Sequence, residues 1–383
     1  MGFNAGNQYL VIQEQTITVK VYYDLREQLD QYSVGFPATE SGIEIKILEK
    51  LFTQEEAELY LNLSMKLEMP EAIAHRTGRD PSAVAAILER MVDKGLIFRV
   101  KKGDSAKYGA AAFVIGSYEY QAKDMDKEFA ALFDQYFLET FGRNAIGLTL
   151  PMRTIPVNKS IQHLWHVAPY EDVKKLFEGK DKIAVANCIC RIQQGLLDKG
   201  CDKPLEVCFQ FGSHAQYYVD KGMARFITNK EALGIIEKCD EEGLVPQPFI
   251  SQDAGGMCNC CGDCCAILRS IKMNPKPAEK VLTNYFAAVD SDLCSACETC
   301  VDRCQMEAIR VGDNNVAVVE RDRCIGCGLC VTTCPSEAAS LKQKPESERR
   351  EPPATAKDFV MELASVRGKS LIPISVMKRH GGG

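Results

Sequence analysis

An α+β chain of several domains is predicted by three observations. Between residues 41 and 115, four segments with helical apolar stripes precede a short basic hairpin; from 121 to 287, strand and helix signals alternate around ten cysteines; after 288, one four-cysteine pattern occurs twice in succession. At about 100 to 200 residues per domain, the length of 383 residues suggests roughly two to four domains. The expected layout is an N-terminal extension (1–40), a helical domain with a hairpin (41–120), a cysteine-rich α/β middle domain (121–287), a domain built on the repeated pattern (288–342), and a linker with a C-terminal helix and tail (343–383). A hydrophobic content of 46% is enough for a sizeable core, and no apolar run is long enough to span a membrane. Eighteen cysteines without an export signal predict a cytoplasmic chain, from an organism with little oxygen, whose thiols hold metal.

The helical region is read from its stripes and caps. Ile43, Ile47, Leu48 and Leu51 give one apolar face, Ala57, Leu59, Leu61 and Leu63 belong to the next segment, and Pro70 opens a third. Asp80-Pro81 supplies a cap and a first-turn proline before Val84, Ile87, Leu88, Met91 and Val92, and Gly95 stops that helix. Leu96–Val100, a turn at Lys102-Gly103-Asp104 and Tyr108–Ile115 then make a two-stranded hairpin. This order resembles a winged helix-turn-helix domain. Its presumed recognition helix presents Ser82, Ala83, Ala85, Ala86, Glu89, Arg90 and Asp93, which lacks the paired Arg, Asn and Gln groups that read base edges. Arg99, Lys101, Lys102 and Lys107 on the wing could touch phosphate, but the composition favours a docking or packing module over DNA binding.

In the middle domain a helix is expected over 123–141, a short one over 169–177, a strand over 182–186 running into Cys188, and helix again over 204–220. Thr228 and Glu231 form a capping box for a helix that Gly243 closes. Nine of its ten cysteines fall in suggestive positions: Cys188, Cys190, Cys201 and Cys208, then Cys258, Cys260, Cys261, Cys264 and Cys265. Five thiols within eight residues are an oxidation liability unless metal holds them, so at least one additional iron–sulfur cluster is predicted here, with zinc at one four-thiol set as the alternative. Neighbouring cysteines point in different directions, so the pairs Cys260-Cys261 and Cys264-Cys265 could serve two clusters, bind a non-cubane cluster, or leave one thiol of each pair free. Cys239 shares an apolar face with Ala232, Ile235 and Ile236 and reads as a buried thiol. His163, His166 and His214 read as structural, and Arg191 either offsets cluster charge or is solvated. Nucleotide, flavin and hydrolase motifs are absent.

The C-terminal pattern is the most specific. Cys294-x2-Cys297-x2-Cys300-x3-Cys304 is answered by Cys324-x2-Cys327-x2-Cys330-x3-Cys334-Pro335, and the flanks repeat too, Glu307-Ala308 against Glu337-Ala338. Three cysteines two residues apart let one tight loop reach three corners of a cube, so two [4Fe–4S] clusters are predicted. Zinc normally takes pairs of such cysteines, and disulfide frameworks belong to small secreted domains. The stretch 288–341 resembles a bacterial-type two-cluster ferredoxin. There the last cysteine of each run ligates the other cluster, which assigns Cys294, Cys297, Cys300 and Cys334 to one and Cys324, Cys327, Cys330 and Cys304 to the second. The halves differ: Gly326 and Gly328 stand where the first loop has Ala296 and Glu298, and Gln305 replaces the expected proline. Unequal cluster environments are therefore expected.

After Leu341 a polar linker over 342–353 precedes a docking helix carrying Phe359, Val360, Leu363 and Val366, and the last residues through Gly383 are expected to be loose. Over 35–341 the chain resembles a group of iron–sulfur proteins of anaerobic bacteria. They join a winged-helix start, a Cys188-Ile189-Cys190-Arg191 motif, a Cys258-Asn259-Cys260-Cys261 run and a two-cluster ferredoxin; further markers are Gly35-Phe36-Pro37, Thr39–Gly42 and Gly200-Cys201-Asp202. The resemblance implies electron transfer. The leading expectation is an electron carrier or redox subunit; an oxidoreductase with a substrate-facing middle cluster and a redox-sensing transcription regulator are the alternatives. A net charge of -6, made more negative by bound clusters, implies a redox partner with a basic docking face.

Overall fold

A computed structural model of the chain describes residues 20–141, 150–162, 164 and 167–380. His163 and His166, singled out in the sequence, and the end of the tail at Gly383 lie outside the described residues. Helices and small antiparallel sheets build two compact units, one from residues 20–124, 131–136 and 363–380, the other from 125–130 and 137–362. Among the described residues no helix is long and apolar enough to cross a membrane.

In the first unit the expected helices form at Ile43–Leu51, Gln54–Tyr60, Pro70–Thr77 and Pro81–Asp93. Their starts are held chemically: Thr53 and Glu56 make a reciprocal capping box, and Asp80 accepts from the Ala83 N–H at 2.9 Å. The predicted stripe Val84, Ile87, Leu88, Met91 and Val92 is buried. The hairpin pairs β1 (Ile97–Lys102) with β2 (Ser105–Ala110). Its second strand stops at Ala110 rather than at the expected Ile115, because Ala110 already faces Ile97, the first residue of β1, and nothing is left to pair with.

Residues 20–40 also belong to this core: 20–30 are helical, and Leu25, Leu29, Tyr32 and Phe36 are buried. Two of the sequence markers have structural work there. Gly35, at φ +92°, leaves no room for a Cβ beside Asp30 and the Arg367 guanidinium, while Phe36 packs against Phe113 and Tyr136, ring centroids 4.3 and 4.8 Å away. Thr39 and Ser41 accept from the Ile43 N–H and start the next helix. Asp30 joins the chain's two ends, accepting from the Phe36 N–H at 2.9 Å and pairing with Arg367 at 3.0 Å and Lys369 at 2.6 Å.

The second unit contains five antiparallel strands, β3 (Ile183–Asn187), β4 (Glu206–Phe211), β5 (Ala224–Phe226), β6 (Val245–Pro248) and β7 (Gly256–Cys260), in the order β5-β3-β4-β7-β6. Every pairing in this sheet runs antiparallel. One expectation is corrected here. Residues 206–211 are strand where helix over 204–220 was expected; helix begins only at Gly212. Val207-Cys208-Phe209-Gln210-Phe211 is buried throughout, lying between β3 and β7, and a continuously buried strand loses the alternation that would distinguish it from helix. Phe177, Val185, Phe209, Phe211, Ala232 and Met257 share one core. The helix Asn229–Glu241 starts at Thr228, which accepts from the Glu231 N–H at 3.2 Å, and Gly243 follows it at φ +72°. On that helix Cys239 is buried as expected, and burial pushes its thiol up to about 12.

The duplicated segment closes on itself. Strand β8 (Tyr285–Val289), before the first cysteine run, pairs with β11 (Ala339–Gln343), after the second, while β9 (Ile309–Val311) and β10 (Ala317–Val319) pair between the runs. Its core is continuous with that of the middle region, with Val245, Cys260, Cys265 and Leu268 in the same cluster as Met306, Ile309, Cys324 and Cys330. The polar linker is tied back by Asn284, which accepts from the Arg350 N–H at 2.9 Å. On the following helix, Ala356–Val366, Phe359 and Leu363 are buried, but Val366 is exposed, contrary to its expected place on the docking face.

Candidate metal centres

Each C-terminal cysteine run wraps a cavity by the same backbone device. Ala296 (φ 52°) and Glu298 (62°) in the first loop, and Gly326 (66°) and Gly328 (76°) in the second, adopt the left-handed conformation that turns the chain between cysteines. One cavity is lined by Cys294, Cys297, Cys300 and Cys334; the other by Cys324, Cys327, Cys330 and Cys304. Each therefore takes three thiols from one run and the fourth from the other, the set that crossed ligation would need. Backbone amides face the sulfurs: Ala317 N–H donates to Cys294 Sγ and Ala287 N–H to Cys324 Sγ, both at 3.4 Å, and Ala308 N–H to Cys304 Sγ at 3.2 Å. Four soft donors around a cavity, with N–H groups directed at thiolate charge, fit an iron–sulfur cubane.

The two cavities differ in exposure. Cys297 is exposed, together with Glu298 and Leu293, whereas Cys324, Gly326, Gly328 and Cys330 are buried. This accounts for the glycine asymmetry. A Cβ on Gly326 would overlap the Tyr285 carbonyl, and one on Gly328 would overlap the Ser160 hydroxyl and lie 2.7 Å from Ser160 Cβ. The first loop meets solvent and tolerates side chains there. Gly328→Ala is expected to cost about 3 kcal/mol, combining left-handed strain with overpacking, and to lower iron content, whereas Ala296→Gly leaves iron content unchanged; parallel metal analysis of the two variants checks this.

The nine middle thiols separate into two groups. Six form a closed circuit of neighbours, Cys188–Cys190–Cys265–Cys260–Cys258–Cys208 and back to Cys188. Strand geometry explains it: Cys258 and Cys260 are two residues apart on β7 and share a face, Cys208 on the adjacent β4 comes within 3.9 Å of Cys258, Cys188 ends the β3 segment, and Cys265 caps the helix Ala266–Lys272. Cys261, one residue on, points elsewhere and joins Cys264 and Cys201. Four members are readily ionised: hydrogen bonds from Cys190 and Cys208 hold Cys188, and those from Cys190 and Cys260 hold Cys265, well below the ordinary thiol value, while Cys258 is drawn down to about 6 by Cys208 and Cys260, and Cys261 to about 6 chiefly by Cys264.

Arg191 is buried, not solvated. It donates to the carbonyls of Pro204 at 2.8 Å and Asn259 at 3.0 Å. Burial opposes its charge, but Cys188, Cys261, Cys260 and Cys208 outweigh that and hold its pKa above the ordinary value. Its guanidinium thus offsets thiolate charge from both groups. Sequence reasoning missed how the middle thiols meet the duplicated segment: Gly262, between Cys261 and Cys264, donates its N–H to Gln305 Oε1 at 2.7 Å, and Val157 N–H donates to the Cys327 carbonyl at 2.9 Å. The signal was Gln305 itself, standing where proline was expected. A cavity of about 150 Å³ beside them is lined by Val157, Lys159, Lys174, Leu233, Cys239 and Asn259, among others.

In the first unit, the charged groups of helix Pro81–Asp93 are engaged internally, Arg90 with Glu55 and Glu89 with Arg99, both at 2.7 Å. Lys101, Lys102 and Lys107 are exposed on the hairpin. Residues 287–341 match a family model described as a 4Fe-4S dicluster domain. No curated protein and no solved structure matches the chain. The C-terminal segment is an iron–sulfur domain of ferredoxin type.

Proposed function

We propose that the chain is an electron carrier or redox subunit in which two C-terminal [4Fe–4S] clusters exchange electrons with a further iron–sulfur cluster in the middle region. The observation that carries this reading is the pair of cavities, each lined by four thiols, with cysteines of both in the same core as Cys260 and Cys265 of the six-thiol circuit. When bound, such clusters take up and release single electrons. The residues supply order and polarity: exposed Cys297 opens the outer cavity to a partner, and buried Cys324 and Cys330 share a core with the middle thiols Cys260 and Cys265. Asp290, Asp292, Glu298 and Asp302 are exposed around the outer loop, which suits a basic docking face. The dithionite-reduced protein should therefore be oxidised faster by a cationic metal complex than by an anionic one of similar potential. Added salt should narrow the difference; equal rates at low salt would contradict the acidic entrance.

The cavity next to Asn259, which lies between two circuit cysteines, supports an oxidoreductase as the second reading. It requires a small-molecule turnover that Leu233→Trp abolishes without loss of iron. Residues 41–120 we read as a winged-helix docking module, so DNA binding should be weak and vanish with salt; selective binding at physiological salt would favour a regulator instead. A reducing cytoplasmic setting suits eighteen cysteines, none of them in a disulfide.

A further inference from the structure

We propose that Cys201, Cys261 and Cys264 hold a single zinc ion, at a site separate from the six-thiol circuit and from both C-terminal cavities. The sulfur of Cys201 lies 3.7 Å from that of Cys261 and 3.6 Å from that of Cys264, and all three sulfurs are within 4.8 Å of one another. Around a tetrahedral ion with metal–sulfur bonds of about 2.3 Å, ligand sulfurs stand about 3.8 Å apart. Three thiols here already occupy three corners of such a tetrahedron. All eighteen cysteines are among the described residues, yet no other three converge to this distance. The C-terminal thiols instead line two cavities without any three converging so closely, as donors to a bulky cluster should.

The local chain is built for such a site. Cys261-Gly262-Asp263-Cys264 has the two-residue spacing of a zinc half-site, and its turn is closed by the Cys265 N–H bonding to the Cys261 carbonyl at 3.2 Å. Gly262 is pressed against the Gln305 backbone so closely that a side chain would overlap it, which fixes the turn. Cys201 arrives from the loop after helix Ile189–Leu196, where Gly200 fits against Gly195. Three thiolates on a divalent ion leave one negative charge, and Arg191 faces it through Cys261. No fourth thiol completes the set, so the remaining position takes a non-thiol ligand, and partly exposed Cys201 leaves access for water. Thiolate donors and the order of divalent affinities favour zinc over ferrous iron.

The test is metal analysis and zinc-edge X-ray absorption on the full chain, expressed with zinc supplied and purified without oxygen. About one zinc per chain is expected, with three sulfurs at about 2.3 Å and one lighter atom. Cys201→Ser and Cys264→Ser should each lose the zinc and keep all the iron. Absence of zinc from the unaltered chain, four sulfurs around it, or loss of iron in Cys201→Ser would each overturn the site. The proposal does not depend on the middle cluster: zinc retained with iron at only about eight per chain refutes that cluster alone, and no zinc with iron at about twelve refutes this site alone.

Discussion

Cys260→Ser is expected to remove the middle iron–sulfur cluster while both C-terminal clusters stay reducible. Cys260 is buried at the end of β7, between Cys258 and Cys265 in the six-thiol circuit. It also belongs to the core shared with the duplicated segment, so its thiolate is a ligand and a packing group at once. Serine keeps most of the volume but offers a harder, far less acidic donor, which iron–sulfur chemistry does not favour. Iron should fall by about four per chain and visible absorption by about a third. The low-temperature paramagnetic resonance of the reduced C-terminal clusters should persist, because their eight cysteines lie outside the circuit. Cys190→Ser should behave alike. Unchanged iron in both variants would reduce the circuit to a structural cluster of thiols.

Arg191→Leu should have the broader effect, emptying both middle sites. The guanidinium satisfies two carbonyls and faces thiols of both groups. Leucine would leave the Pro204 and Asn259 carbonyls without that donor and concentrate uncompensated thiolate charge in a buried space. Removing one side of a buried charge arrangement costs about 3–5 kcal/mol. Arg191→Lys keeps the charge but lacks the planar fork that reaches two carbonyls, so partial metal retention is expected. Iron and zinc analysis, with urea unfolding of each variant, checks the order wild type, lysine, leucine. A leucine variant with full metal content would show that the charge is dispensable.

The parts legible in the sequence are those whose cause is local. The C-terminal loops are read from cysteine spacing because three ligands sit on one turn. Helix Pro81–Asp93 was readable from its cap, its proline and its stripe, all within one segment. Strand β4 was misread because Val207–Phe211 is buried by strands on both sides, a fact of tertiary pairing. The nine middle thiols were recognisable as a constellation, but their division into six and three depends on β4 and β7 placing Cys208 near Cys258, and no spacing encodes that. Arg191 remained ambiguous for the same reason, since its carbonyl partners lie 13 and 68 residues away. Gln305 was visible as a departure from the repeat, and only Gly262 explains it.

The proposed third iron–sulfur cluster, beside the two-cluster ferredoxin domain, is decided by quantifying iron and acid-labile sulfide in the anaerobically purified full-length protein. The six-thiol circuit predicts about twelve or more of each per chain; about eight of each, in protein whose two C-terminal clusters are fully occupied, would contradict it.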